Sequence, residues 1–117
     1  MDAWRLAREL RNMIYDLTKR FPSEEKHNLP LQMRRAAISI TANLAEGYGR
    51  YSYQENSQFC RQSRGSAHEL RDHLTTALYQ KYVSSNAWSS ADVLARRVIQ
   101  VVNGYTRATQ RLRREQG

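Results

Sequence analysis

Three histidines, one cysteine and a few carboxylates are the residues that could carry covalent or metal chemistry in this chain, and their spacing favours neither. A helical pair of metal ligands needs a separation of three or four residues, whereas His68 and His73 are five apart and His27 is remote from both. Cys60 sits beside an apolar stripe, reads as a small packed hydrophobe, and has no histidine placed by sequence to activate it. Glu46 is the single acid of a small-residue segment. Buried, it would be a proton-transfer group or a structural carboxylate bonded to Arg or backbone donors, and the second is the commoner fate. The Gly47 to Gly49 turn lacks a P-loop's Lys-Ser/Thr ending and closes a helix instead of opening one, so it reads as a cap. With no nucleophile, metal pair or acid-base dyad, the expectation is a protein that is not an enzyme and uses no cofactor or metal.

Binding chemistry is better represented. Arg61, Arg64, His68 and Arg71 recur at spacings of three, four and three, which places them on one face of a helix. Arg107, Arg111 and Arg114 repeat that pattern near the C-terminus, and between Asp92 and Glu115 there are six Arg and no acid. Such a positive rod can lie along a phosphate backbone. A solvated face, with Arg111, Arg113 and Arg114 offsetting the helix dipole, explains the last turns equally well but the Arg61 stripe less so. Of seven tyrosines, Tyr15, Tyr79, Tyr82 and Tyr105 lie on or beside core stripes, leaving Tyr48, Tyr51 and Tyr53 as candidates for contact.

Four helices must position these groups. The first is expected from Asp2 to Phe21, where Pro22 closes it, with Ala3, Ala7, Leu10, Ile14, Leu17 and Phe21 as its apolar seam. The second begins near Leu29 and Pro30 and runs to Gly47. The third opens on a capping box of Ser52 and Glu55 and carries Phe59, Ser63, Ala67, Leu70, Leu74 and Ala77 toward Tyr82. After a connector from Val83 to Ser90, Ser89 and Asp92 resemble the cap of a fourth, whose seam reads Leu94, Val98, Val101, Tyr105, Ala108 and Leu112. The sum is an all-α, up-down-up-down four-helix bundle, one domain over residues 1–117.

The second helix has one charged residue between Ala36 and Gly47 and so no polar face, which implies cover on a second side by another subunit. Ala36, Ser39, Ala42 and Gly47 are small enough for a neighbour's close approach, although small residues are also simply good helix filler. A formal charge of +8, from sixteen Arg and three Lys against eleven acids, favours an anionic partner. The lone cysteine and the lack of a signal-like or membrane-spanning apolar run fit a cytoplasmic protein with no membrane partner.

The segment from Gln32 to Arg50, QMRRAAISITANLAEGYGR, resembles the hallmark of the four-helix-bundle proteins encoded in 23S ribosomal RNA intervening sequences. The likeness extends to Trp4, Ala7, Phe21-Pro22, Phe59, Gly65-Ser66, Glu69-Leu70 and Asn103-Gly104. Thr41 stands where that family usually has Pro, and Pro30 near its helix-capping hydroxyl, so the second helix is expected to differ locally. Arg34, Arg35, Asn43, Glu46 and Gly47 match the family signature and are expected to hold the bundle and its interface. The resemblance extends to the accessory variability determinant proteins of diversity-generating retroelements. It thereby implies a homopentamer that binds nucleic acid and a reverse transcriptase, whereas the periodicity implies only some interface.

The expected function is therefore a homo-oligomeric bundle that binds RNA or DNA through Arg-phosphate contacts at Arg61, Arg64, Arg71, Arg107, Arg111 and Arg114. The alternative is a protein-interaction scaffold whose charge serves solubility or steering.

Overall fold

Ala3, Ala7, Leu10 and Ile14 have almost no exposed surface, as the four-three spacing of the first seam requires. In the computed structural model, which describes residues 2–49 and 53–116, they line helix α1 (Asp2–Thr18). It is followed by a 3-10 turn at Ser23–Glu25 and by α2 (Leu29–Tyr48), α3 (Tyr53–Tyr79) and α4 (Ser85–Gln116). No strand occurs among the described residues. Arg50, Tyr51 and Ser52, and with them the Ser52 half of the expected capping box, lie outside those residues.

The helix ends differ from expectation for local reasons. α1 stops at Thr18, three residues before Phe21: the residue preceding a proline is turned away from helical geometry, and i→i+3 bonds from Arg20 to Leu17 and from Phe21 to Thr18 tighten the exit. Phe21 still reaches the core edge, its ring 5.3 Å from that of Tyr82. α3 ends at Tyr79, where Tyr82 N–H bonds Ala77 O and Lys81 N–H bonds Leu78 O. This is a Schellman closure with Lys81 at φ 65° in the place glycine usually takes. α4 starts at Ser85, well before the expected Ser89–Asp92 cap. Ser84 is its cap, accepting the Ala87 N–H at 3.1 Å.

The α4 seam is also rotated from the expected one. Ala91, Ala95, Val98 and Val102 are buried, Leu94, Val101 and Tyr105 flank them, and Ala108 and Leu112 are exposed. Short side chains at the centre let α4 approach its neighbours closely, and the larger ones close the sides. In α3 the buried line is Asn56, Cys60, Ser63, Ala67, Leu70, Leu74 and Ala77, with Cys60 in the seam and Phe59 beside it.

Each helix packs on two others, α1 with α2 and α4, and α3 with α2 and α4. Bonds between them run in antiparallel order. Arg34 bonds Thr18 and Arg11 bonds Thr41 across α1 and α2. Ser39 meets Ser66, Ser63 donates to Ile40 O, and Asn56 donates to Gly47 O across α2 and α3. Arg71 bonds Asp92, Arg64 bonds Asn103, and Asn56 bonds Tyr105 across α3 and α4. The result is a four-helix bundle with extents of 53 × 24 × 18 Å. The last buried residue of α4 is Val102, and residues 107–115 are exposed except for half-buried Thr109.

Candidate nucleic-acid interface

The Arg stripe of α3 divides into three situations. Arg61 is exposed. Arg64 is half-buried and donates to Asn103 Oδ1 at 2.7 Å. Arg71 is half-buried and paired with α4: its Nε lies 2.8 Å from Asp92 Oδ1, and Arg96 Nε is 3.3 Å from Asp92 Oδ2. Asp92 is only 4% exposed, so its carboxylate depends on these two guanidiniums to replace water. Sequence reasoning missed that pair. Its one signal was Asp92 standing as the sole acid of α4 before Glu115, four residues from Arg96.

Arg107, Arg111, Arg113 and Arg114 are all exposed along the end of α4. The guanidinium of Arg113 lies 4.4 Å from the centre of the Tyr53 ring, a cation–π contact that joins this end of α4 to the start of α3. Tyr48, at the end of α2, is 62% exposed. Because α3 and α4 are antiparallel, Arg61 and Arg64 share this end of the bundle with the α4 arginines, while Arg71 lies nearer the other end.

The signature residues of α2 serve several ends. Arg34 Nε donates to Thr18 Oγ1 at 2.8 Å and its guanidinium lies 4.9 Å from the Tyr15 ring centre. Asn43 donates to Ser39 O and Oγ beside the Ser39–Ser66 contact. Gly47 is buried, and a Cβ there would stand 2.8 Å from Phe59 Cβ. It is thus kept small by the approach of α3, and the cap residue Gly49 has an ordinary right-handed backbone. Arg35 and Glu46 are exposed. Thr41, at the usual proline position, donates to Ile38 O and leaves α2 continuous. Ala36, Ser39 and Gly47, read as small residues for a neighbouring subunit, face their own bundle. Ala42 is exposed beside Ile38 and Ala45.

The groups considered for catalysis are otherwise engaged or apart. Burial pushes the Cys60 thiol above its ordinary pKa, against smaller opposing pulls from Thr106 and Arg64, so it is a thiol and a poor nucleophile at neutral pH. His73 contacts Glu69 at 3.4 Å, and His68 is exposed. Among the described residues no group of three or more His, Cys, Asp or Glu is placed to hold a metal ion, and no helix is long and apolar enough to cross a membrane.

The fold is similar to the crystal structure of a protein with unknown function from the S23 ribosomal protein family from Bacteroides thetaiotaomicron. The TM-score is 0.82 over 89% of this chain and 97% of that one, at 18% identity, a level that speaks for the fold alone. No curated protein matches the chain. The family model described as 23S rRNA-intervening sequence protein matches residues 1–104, which takes in all of α2 and its signature and leaves the four arginines at the end of α4 beyond it. With that match spanning most of the sequence and the bundle formed as its motif implies, the chain belongs to the 23S rRNA-intervening sequence protein family.

Proposed function

We propose that the protein is a non-enzymatic, self-associating bundle that binds nucleic acid through arginine contacts to phosphate, at the end where the start of α3 meets the end of α4. The observation that carries this reading is the exposed run Arg107, Arg111, Arg113 and Arg114, which continues past the buried core with no acid before Glu115. A helix extended beyond its own core adds little to the stability of the bundle, yet it holds four guanidiniums where a phosphate backbone can reach them. Arg61 and Tyr53 adjoin this surface. Contacts of this kind position a nucleic acid without reading bases, so specificity would be low and salt dependence steep. The resemblance to accessory variability determinant proteins makes a pentamer with a reverse transcriptase partner the natural setting.

Binding to structured RNA and to duplex DNA across a salt series tests this. Replacing Arg61, Arg107, Arg111 and Arg114 with Ser should weaken binding and flatten the salt dependence, by up to about 0.9 in log-log slope on duplex DNA for each phosphate that is no longer neutralised. Arg71→Ser should instead lower stability and leave the affinity of the folded protein unchanged, since Arg71 serves Asp92. Undiminished binding by the four-Ser variant overturns the site.

A second reading, a scaffold that docks proteins, is favoured by the outward apolar positions of α2, where Ile38 is 42% exposed next to exposed Ala42 and Ala45. It is the reading that remains if no nucleic acid binds even at low salt.

A further inference from the structure

At the opposite end of the bundle from the α4 arginines, a cleft of about 290 Å³ opens between the end of α1, the connector and the start of α2. Lys19, Lys26 and Arg34 line it together with Ser23, Thr18 and Pro30. None of its lining residues is acidic. Two larger clefts, of about 480 and 340 Å³, differ in this respect: one has Glu25 in its wall, and the other sets Glu9 and Asp16 against Arg20.

Three cations brought together from α2 and the segment that joins it to α1 repel one another, and the fold gives this arrangement no carboxylate in the wall to offset it. Lys19 pairs with Asp16 at 3.7 Å, an exposed contact worth little, and Asp16 is not among the residues lining the cleft. The nearby Glu25 accepts the Tyr82 hydroxyl at 3.0 Å, so it is held toward α3. Arg34 is the group whose position is fixed. Its Nε donates to Thr18 Oγ1 at 2.8 Å, that hydroxyl donates to Ile14 O at 2.7 Å, and Tyr15 lies against the guanidinium plane. Among the described residues neither terminal nitrogen of Arg34 has a partner. A guanidinium held by its Nε and its face presents its remaining donors as a ready fork for an oxyanion.

The start of α2 adds to the same field. Asn28 makes no side-chain capping bond there, and the first turn contains no acid, so the positive end of the helix is not neutralised. Ser23 supplies a neutral hydroxyl donor in the wall. Of the last carbonyls of α1, which would disfavour an anion, that of Tyr15 accepts from Thr18 Oγ1 and Lys19 N–H, that of Leu17 from Arg20 N–H, and that of Thr18 from Phe21 N–H.

We infer that this cleft is a binding site for a phosphomonoester, held by the Arg34 fork with Lys19 and Lys26 closing over it. Three cations suit a monoester, which carries about −1.5 to −2 at neutral pH, better than the single charge of a phosphodiester. A phosphorylated strand end and a free nucleotide share this chemistry. The site stands apart from the α4 surface, so either can fail without the other.

The test is a set of backbone-amide NMR titrations of the full chain. The probes are inorganic phosphate, adenosine monophosphate, and short single strands of one sequence carrying either a 5′-phosphate or a 5′-hydroxyl. The expected result is saturable shifts in residues 18–34 with the phosphorylated probes. A preference for the phosphorylated strand over adenosine monophosphate identifies a strand end as the source; equal affinity identifies a free nucleotide. Lys19→Ser with Lys26→Ser should reduce affinity at least about tenfold, as loss of charge-assisted bonds implies, and leave salt-dependent duplex binding intact. Arg34→Lys, which keeps the charge and removes the fork, should weaken the monoester with helix content unchanged. Shifts that map to Arg107–Arg114 instead, equal response to the 5′-hydroxyl strand, or affinity unaltered in the Lys variant would each overturn the site.

Discussion

Lys81 shows what a single residue contributes at an element boundary. Its backbone is left-handed at φ 65°, a conformation that costs a side-chain-bearing residue roughly 1–2 kcal/mol, yet it closes α3 with two bonds and releases the chain toward α4. Lys81→Gly should therefore raise stability by about 0.5–1 kcal/mol, the strain relieved less the extra freedom of glycine in the unfolded chain. A urea melt would show it as a higher midpoint at unchanged slope. This closure was hidden in the sequence because a lysine carries no turn signal, and Tyr82 reads as the continuation of an apolar stripe. The commitment of Arg71 to Asp92 was hidden for a related reason. Spacing alone assigns a residue to a face, and it says nothing of which neighbouring helix that face meets. Arg64, Arg71 and exposed Arg61 form one stripe by spacing, and the packing of α4 separates them.

At the scale of elements, the four helices and their order were legible, since seams of four-three spacing and the breaks at Pro22, Gly49 and the Ser-rich connector depend only on local chemistry. Helix ends and rotations were less so. The α4 seam was drawn through Leu94 and Leu112 because they are the larger apolar residues, whereas the bundle centres on Ala91 and Ala95, which only close packing makes valuable. The absence of a polar face on α2 has a corresponding double explanation. Ala36, Ser39 and Gly47 serve the contact with α3 and the rest of the bundle, and the outer positions Ile38, Ala42 and Ala45 remain exposed. Burial of those outer positions by another copy is the part of the proposed assembly that α2 can test. Ala42→Glu should leave the helix content and the fold intact, because the side chain points outward, and should dissociate the oligomer by placing a charge in an apolar contact. Light scattering checks it, and an unchanged mass would remove this face from the assembly.

On the scale of the whole molecule, the bundle separates into a packed body and a projecting end. The body is complete by Val102, with Asn56 bonded to Tyr105 and Cys60 influenced by Thr106 as its last internal ties. The family match ends at Gly104, close to the same place, so the arginine-bearing turns lie beyond the matched region. A chain ending at Thr106 tests the division directly. It keeps every buried residue and every cross-helix hydrogen bond described above, and loses chiefly exposed surface and the Tyr53–Arg113 stacking, which at an exposed site is worth about 0.5–1 kcal/mol. Its melting midpoint should fall by only a few degrees, as that loss implies for a domain of this size. Its affinity for structured RNA and duplex DNA should fall sharply at low salt, because four of the exposed positive charges leave together. A truncated protein that melts normally and still binds would place the nucleic-acid surface on the body of the bundle. One that unfolds would show that the last turns of α4 are covered in the assembly and support its core.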